Sequence, residues 1–303
     1  MRLTQFWLPG EGLRVGVLEG GELLDVTGLA PWLCDTLSLL EEAARRRIGL
    51  QALVREAVAS RADAHPERFE FAALSVPPDP AVPHLLLPVH PPEVWGFGVT
   101  YRRSAEMRDT DTGTTIYDYA YSQARPEVFF KATASRCSGP NGLIGLRWDS
   151  SLMAAEPELA FVLGGGRDVL AFTLCNDVSA WDIERENPLY LPQGKIFTGC
   201  CALGPVLATP EAVGDAMNLD IECRIHRGGQ LAFEGSTNSS LLRRSFEEMT
   251  DYLTRCNPVP VGTVVTTGTG IIVPTEMALK EGDVVEIEVQ GIGVLRNIAR
   301  RVQ

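Results

Sequence analysis

The chain has no cysteine framework. Its seven cysteines are odd in number and scattered, with no Cys-x-x-Cys spacing. A reduced cytoplasm, the expected location, suits that better than a disulfide scaffold or a zinc site. Basic charge is also short. Lys and Arg total 27 against 39 Asp and Glu, a net charge of −12. A nucleic-acid partner is therefore not expected, because phosphate-backbone binders present basic surface. Nor is a membrane partner. No apolar run is long enough to span a bilayer: the stretch from Val82 to Tyr101 is broken by prolines and by His84 and His90. Met1 to Gly12 has no apolar h-region, so no signal peptide is expected. Internal repeats and low-complexity tracts are missing. So are Ser-x-x-Lys, Gly-x-Ser-x-Gly and His-Glu-x-x-His. Gly96 and Gly98 do not extend into Gly-x-Gly-x-x-Gly, which argues against a nucleotide loop.

What remains is ordinary globular composition, 45% apolar and 22% charged over 303 residues. That length suits one large domain or two. The stretch Ala154 to Leu163 reads as a strand ending in Gly164-Gly165-Gly166. Side chains on a strand repeat every two residues, so Glu156 and Glu158 point to one face. Like charges side by side are easier to tolerate with a cation between them, and hard divalent cations prefer carboxylate oxygens. The bland alternative is a solvated acidic strand end. Pro157 cannot donate to a ladder, so the strand begins there or lies at an edge. Val169 to Cys175 is nearly all apolar, hence a buried strand, and it delivers Asn176-Asp177 at its end. A buried carboxylate needs a partner or a metal. Asp177 thus makes the pair a candidate three-carboxylate site.

Around that centre the chain divides. Leu3 to Asp25 reads as short strands with a hairpin turn at Glu19–Glu22. Thr36 to about Ala62 reads as helical, with Gly49 splitting it into two helices. A Pro-rich connector follows, Pro77 to Pro92, which is expected to space two parts and pack little itself. The boundary is placed at residue 90: residues 1–90 form a small N-terminal domain and residues 91–303 a catalytic one. Val94 to Val99 is a strand, followed by a short helix through Arg108 and a polar loop, Asp109 to Thr115, suited to a mobile lid. Pro126 to Lys131 is another strand, and Lys131 reads as a snorkelling edge lysine. Asp182, Glu184 and Glu186 read as a solvated face. Lys195, between a glycine and an apolar run, is either surface decoration or a charged donor reaching into the carboxylate site. Further strands are expected at Leu219–Ile225, Val261–Thr267 and Val284–Val289, with a helix over Ser240–Arg255. Gly268-Thr269-Gly270 is a tight turn that exposes N–H groups and a hydroxyl. His226 stands isolated in a strand and is not expected to be catalytic.

Several of these pieces recur together in a known order: Thr100-Tyr101, Phe129-Phe130-Lys131, Glu156-Pro157-Glu158-Leu159-Ala160, Asn176-Asp177-Val178-Ser179-Ala180, Lys195, Leu203-Gly204-Pro205, Thr267-Gly268-Thr269-Gly270 and Glu281-Gly282-Asp283. In them the chain resembles the fumarylacetoacetate hydrolase superfamily over roughly residues 91 to 303. The resemblance implies a β-rich α+β fold, a mixed β-sheet roll with a smaller N-terminal α/β domain. It implies Mg²⁺, with Mn²⁺ or Ca²⁺ as substitutes, on Glu156, Glu158 and Asp177. It also implies a small-molecule substrate, a 2-oxo acid or 1,3-dicarbonyl compound with the 2-oxo acid expected here, and a homodimer or homotetramer.

One departure narrows the chemistry. Hydrolases of this family usually carry a histidine three residues after the tyrosine, and here Ser104 stands there. Serine cannot accept a proton at neutral pH as histidine does. Thr-Tyr-x-x-Ser, Glu186 to Gln193 and Thr269-Gly270-Ile271 instead resemble the branch that dehydrates 2-keto-3-deoxy sugar acids of pentose catabolism. A 2-keto-3-deoxy-D-arabinonate type substrate would give 2,5-dioxopentanoate. On that likeness Lys195 is the candidate electrostatic and proton-transfer partner. Tyr101, Ser104, Lys195 and Thr269 are candidate substrate contacts. Arg102, Arg103 and Arg108 are further candidates for a carboxylate. Trp181 stands where arginine or serine is common, and Gly194 where alanine is common. The alternative function is an acylpyruvate- or fumarylacetoacetate-type C–C hydrolase, or an oxaloacetate decarboxylase, on the same metal site.

Overall fold

The computed structural model describes residues 1–61 and 66–303. The chain opens with β1 (Arg2–Leu8), β2 (Gly12–Glu19) and β3 (Glu22–Asp25), a meander turned by Gly20 and Gly21 at positive φ. Only glycine adopts that backbone freely. Helices α1 (Thr36–Arg46) and α2 (Leu50–Ala59) follow. Asp35 caps α1 by accepting from the Ser38 N–H at 2.7 Å, and Arg45 and Arg46 sit in its last turn, where cations suit the helix dipole. The expected break at Gly49 is real, since Gly49 is the N-cap of α2. Ala62, the expected helix end, lies outside the described residues. Strand β4 (Arg68–Glu70) and helix α3 (Phe71–Leu74) lead to the connector.

The connector does not pack loosely. It carries β5 (His84–Leu85), which pairs with β1. Leu85, Leu87 and Val89 alternate between the prolines and are buried in the core. Gln5 fixes the segment from beneath: its amide donates to the Leu87 carbonyl at 2.7 Å and its oxygen accepts from the Thr36 N–H at 3.0 Å. Proline stiffened the segment, but apolar residues at a period of two decided where it went.

The second part begins at β6 (Val94–Gly98), then α4 (Arg102–Thr112) and α5 (Ile116–Ser122), then β7 (Glu127–Ala132). The stretch expected to be a loop from Asp109 is helical as far as Thr112, and Gly113 closes it in the left-handed region. Short β8 (Cys137–Ser138), β9 (Leu143–Arg147) and β10 (Met153–Ala154) precede β11 (Pro157–Leu163) and β12 (Val169–Asp177). β13 (Ser179–Ala180) runs into α6 (Trp181–Glu186) and α7 (Leu191–Lys195). The last third holds β14 (Cys201–Ala208), α8 (Pro210–Val213), β15 (Asp220–Arg227), β16 (Gln230–Asn238), α9 (Phe246–Thr254), β17 (Val264–Thr266), β18 (Val284–Val289) and β19 (Gly293–Val302).

Among the described residues these strands build a large mixed sheet in the order β4-β3-β2-β1-β14-β12-β11-β17-β6-β7, a smaller one in the order β16-β15-β18-β19-β9, and the pair β10-β13. β11 and β12 lie at the centre of the large sheet. All seven residues of β11 are buried, which is why it reads as a continuous apolar run broken only by Glu158. This sheet-rich α+β architecture is the fold expected from sequence.

Candidate metal and substrate site

The site forms where β11 and β12 end side by side. In this antiparallel pair Pro157 faces Asn176 and Glu158 faces Cys175. The Asp177 N–H donates to the Glu156 carbonyl at 2.9 Å. Glu156, Glu158 and Asp177 therefore converge, with one carboxylate oxygen from each within 4.8 Å of the others. All three are at most 2% exposed. Burying three anions together is costly unless positive charge answers them.

The protein supplies part of that charge. The Lys195 ammonium, at the end of α7, lies 2.8 Å from Glu156 Oε2, 3.2 Å from Asp177 Oδ2 and 2.7 Å from Ser179 Oγ. The Lys131 ammonium lies 2.5 Å from Asp177 Oδ1 and donates to the Val178 and Lys195 carbonyls. Arg108, on α4, donates to Glu156 Oε1 at 3.0 Å. The Trp181 indole N–H donates to the same oxygen at 2.7 Å. Burial alone would raise the Glu156 carboxyl, but Lys195 and Arg108 hold it down at about 2.

Glu158 is the exception. It accepts the Gly268 N–H at 2.7 Å. Burial, then the charges of Asp177 and Glu156, push its carboxyl well above the usual range. A group left this way invites a cation, and three convergent carboxylate oxygens are the donor set that Mg²⁺ takes. The residues present fit the metal implied by the fold.

Lys195 is buried, which would lower its pKa, but Asp177, Glu156 and Glu184 outweigh burial and raise it. Among the residues expected at the site, Glu156, Glu158, Asp177 and Lys195 are thus brought into one cluster. Tyr101 is buried, with a hydroxyl that finds no partner among the described residues. Its pKa is raised by burial and then by Glu158. Ser104 is buried in the first turn of α4, its N–H on the Tyr101 carbonyl. Thr269 lies beside the Gly268–Glu158 contact, and its hydroxyl is engaged with Ile271 in its own turn. Of the three arginines only Arg108 reaches the carboxylates. Arg102 is on the surface near Glu106 and Asp118.

Three residues correct the sequence reading. Lys131 is fully buried and paired, not a snorkelling edge lysine. Glu184 is buried on α6, 3.6 Å from Lys195 and 3.9 Å from Arg108, and is no part of a solvated face. Glu127 was not singled out at all. It lines a cavity of about 640 Å³ together with Arg108, Tyr117 and Glu184. Burial raises its carboxyl, against Arg108 and Lys195. A signal for Lys131 was present: the chain has three lysines, Lys131, Lys195 and Lys280. In a chain that uses arginine for its surface, two of the three are buried here. The glycines of β6 also gain a reason. A Cβ on Gly98 would overlap the Glu127 carboxylate, and one on Gly96 the Phe129 ring. They make room for the side chains of β7 rather than for a nucleotide.

The chain is also similar to proteins already known. The profile of the fumarylacetoacetate hydrolase C-terminal family matches residues 93–300. A 2-dehydro-3-deoxy-D-arabinonate dehydratase of Saccharolobus solfataricus is 47% identical over 213 residues, 69% of this chain and 72% of that protein. A probable 2-keto-3-deoxyxylonate dehydratase of Haloferax volcanii is 43% identical over 215 residues, 71% and 74% of the two chains. A solved 2-keto-3-deoxy-D-arabinonate dehydratase complexed with magnesium and 2,5-dioxopentanoate superposes with a TM-score of 0.81 at 35% identity, with both chains fully covered.

Proposed function

The chain belongs to the fumarylacetoacetate hydrolase family, and from that premise we propose that it is a Mg²⁺-dependent dehydratase of a 2-keto-3-deoxy sugar acid. The substrate type is 2-keto-3-deoxy-D-arabinonate and the product 2,5-dioxopentanoate, in pentose catabolism. The observation that carries this is the 47% identity to the arabinonate dehydratase. The buried Glu156, Glu158 and Asp177 cluster, built to take a cation, supports it. The described histidines favour it over a water-activating hydrolase. His90 contacts Gln5, His84 contacts the Val82 carbonyl and His226 faces Glu286. Ser104 stands where such a hydrolase needs its base.

Glu156, Glu158 and Asp177 would hold the metal. When bound, it supplies Lewis-acid polarisation of the substrate's 2-oxo group. Lys195, kept charged by its three carboxylate neighbours, stabilises the negative charge that develops as the C3 proton leaves. Glu127 is the group we assign to that proton. It accepts the proton from C3 and returns it to the C4 hydroxyl, which departs as water. No net proton is consumed, and the unsaturated acid then tautomerises to the 5-aldehyde. Arg108 and the Tyr101 hydroxyl are the donors assigned to the substrate's carboxylate and hydroxyls, with Ser104 and Thr269 shaping the same wall.

We place residues 1–90 as the small domain and 91–303 as the catalytic one, in a cytoplasmic dimer or tetramer. No helix among the described residues is long and apolar enough to cross a membrane. The test is a pair of assays with Mg²⁺ at saturation. The expected result is aldehyde from 2-keto-3-deoxy-D-arabinonate and no cleavage of acylpyruvates. Strong acylpyruvate turnover without dehydration would overturn the reading.

A further inference from the structure

We infer that Trp181 holds Glu156 to a single free lone pair, and thereby makes the metal site prefer a small cation to a large one. The inference rests on the metal reading above. An ionised carboxylate offers about four lone-pair positions on its two oxygens. Oε1 of Glu156 accepts from Trp181 Nε1 at 2.7 Å and from Arg108 Nη2 at 3.0 Å. Oε2 accepts from Lys195 Nζ at 2.8 Å. One position is left, on Oε2. Glu156 can therefore give a metal one oxygen and not a bidentate pair.

That restriction discriminates between cations. Mg²⁺ demands a compact octahedron, whereas Ca²⁺ takes six to eight oxygens and readily accepts both oxygens of a carboxylate. Among the three donors, Trp181 is the one dedicated to Glu156. Lys195 also serves Asp177 and Ser179, and Arg108 also faces Glu184. The indole has a single N–H to give. Its ring is fixed: Trp181 is 6% exposed, its backbone N–H donates to the Leu152 carbonyl at 3.0 Å, and the Arg185 guanidinium stacks 5.4 Å from the ring centroid. With the indole N–H gone, Oε1 has an open position and the carboxylate can turn to bite with both oxygens. Trp181 is a positioning residue in this account, acting through Glu156.

The experiment is calorimetric titration of the metal-free full chain with Mg²⁺ and, separately, with Ca²⁺. Wild type, Trp181→Phe, Trp181→Gln and Glu158→Gln are compared, with circular dichroism as the check of folding. Trp181→Phe is expected to weaken Mg²⁺ by about 10- to 100-fold, the usual effect of losing a partner that orients a metal ligand. Its Ca²⁺ affinity holds or rises, so the Mg²⁺/Ca²⁺ ratio falls by a similar factor. The glutamine amide nitrogen lies as many bonds from Cβ as the indole nitrogen, so Trp181→Gln restores the ratio. A wild-type ratio in Trp181→Phe overturns the inference. So does an equal loss in both variants, which would make the ring's bulk the cause. Should Trp181→Phe fail to fold, Trp181→Met, which also lacks the N–H, takes its place beside Trp181→Gln, and the same outcomes support or overturn the inference. Undiminished Mg²⁺ binding by Glu158→Gln would overturn the metal reading itself, a failure distinct from one confined to Trp181.

Discussion

Three anions in one buried site are compensated unevenly, and each residue carries its own consequence. From sequence alone, removing any of the three carboxylates should relieve repulsion. The structure divides them. Asp177 is paired with Lys131 and Lys195, so Asp177→Asn strands the buried Lys131 ammonium, while Lys195 keeps Glu156 and Glu184. Breaking a buried pair in this way costs about 3–5 kcal/mol. Glu158 has no lysine or arginine partner among the described ion pairs, and its neighbours raise its pKa. Glu158→Gln should therefore leave the metal-free protein as stable as wild type or more so, while Asp177→Asn lowers it by that amount. Urea unfolding of the metal-free variants separates the two.

Glu127 gives a prediction in pH. Its carboxyl is raised by burial. A carboxyl raised on folding favours the folded state when protonated. That contribution is full below the unfolded value and is lost as pH rises through the raised one. At pH 8 an ionised Glu127 is then a cost to stability, and the proton transfer proposed for it would be the reason to keep it. Glu127→Gln should keep or raise the melting temperature at pH 8. It should also lower kcat by about 10²- to 10⁴-fold, the usual contribution of general acid–base catalysis. In wild type the acid limb of kcat/KM should lie above the ordinary glutamate range, because Glu127 must begin deprotonated. An acid limb at the ordinary value, or a variant with wild-type kcat, would remove Glu127 from the mechanism.

At the scale of elements, what the sequence disclosed was set by local pattern. Val284–Val289 is a strand with the ends expected of it, because its apolar residues alternate on one face. The carboxylates of β11 and β12 were legible for the same reason: period two on one strand, and a charge ending an apolar run on the next. Helix α4 was under-read past Arg108. Its sequence is Arg-Arg-Ser-Ala-Glu-Met-Arg-Asp-Thr-Asp-Thr, which has no apolar stripe to mark a period. Lys131, Glu184 and Glu127 were missed because their partners are far away in sequence. Lys131 meets Asp177, and Glu184 meets Lys195 and Arg108. The β6–β7 pair supplies a test. Gly98 faces Glu127 in register, and a Cβ there would overlap the carboxylate. Gly98→Ala should displace Glu127 and lower kcat toward the Glu127→Gln level. Gly96→Ala meets the Phe129 ring instead, and overpacking of that kind costs about 1–3 kcal/mol of stability. Comparing kcat and melting temperature for the two variants checks the assignment. If Gly98→Ala keeps full kcat, Glu127 does not act from that position.

At the scale of the whole molecule, the two parts read from sequence share one sheet. β1 pairs with β14, with Leu3 opposite Leu207, and β14 is buried along its full length. Leu3, Phe6, Leu85, Leu87 and Val89 join the same core as Leu159, Leu174 and Leu203. The sequence could not disclose this. Alternation shows which face of a strand is buried, but not which distant strand will lie beside it. The consequence concerns residues 91–303 expressed alone. Without β1, β14 keeps β8 beside Cys201 and Ala202 only, and its Leu203–Ala208 end becomes an exposed apolar edge, the kind that pairs with other chains. The metal ligands are all retained in such a fragment, so loss of function there would not come from the chemistry. The expected outcome is aggregation of the fragment on expression. Adding residues 1–90 as a separate chain should restore soluble protein and Mg²⁺ binding, because strand pairing and apolar packing join the two pieces and need no continuous backbone. Size-exclusion chromatography of the fragment, with and without the N-terminal piece, is the measurement. A monodisperse fragment that binds Mg²⁺ like the full chain would show that β1 is dispensable to the catalytic fold.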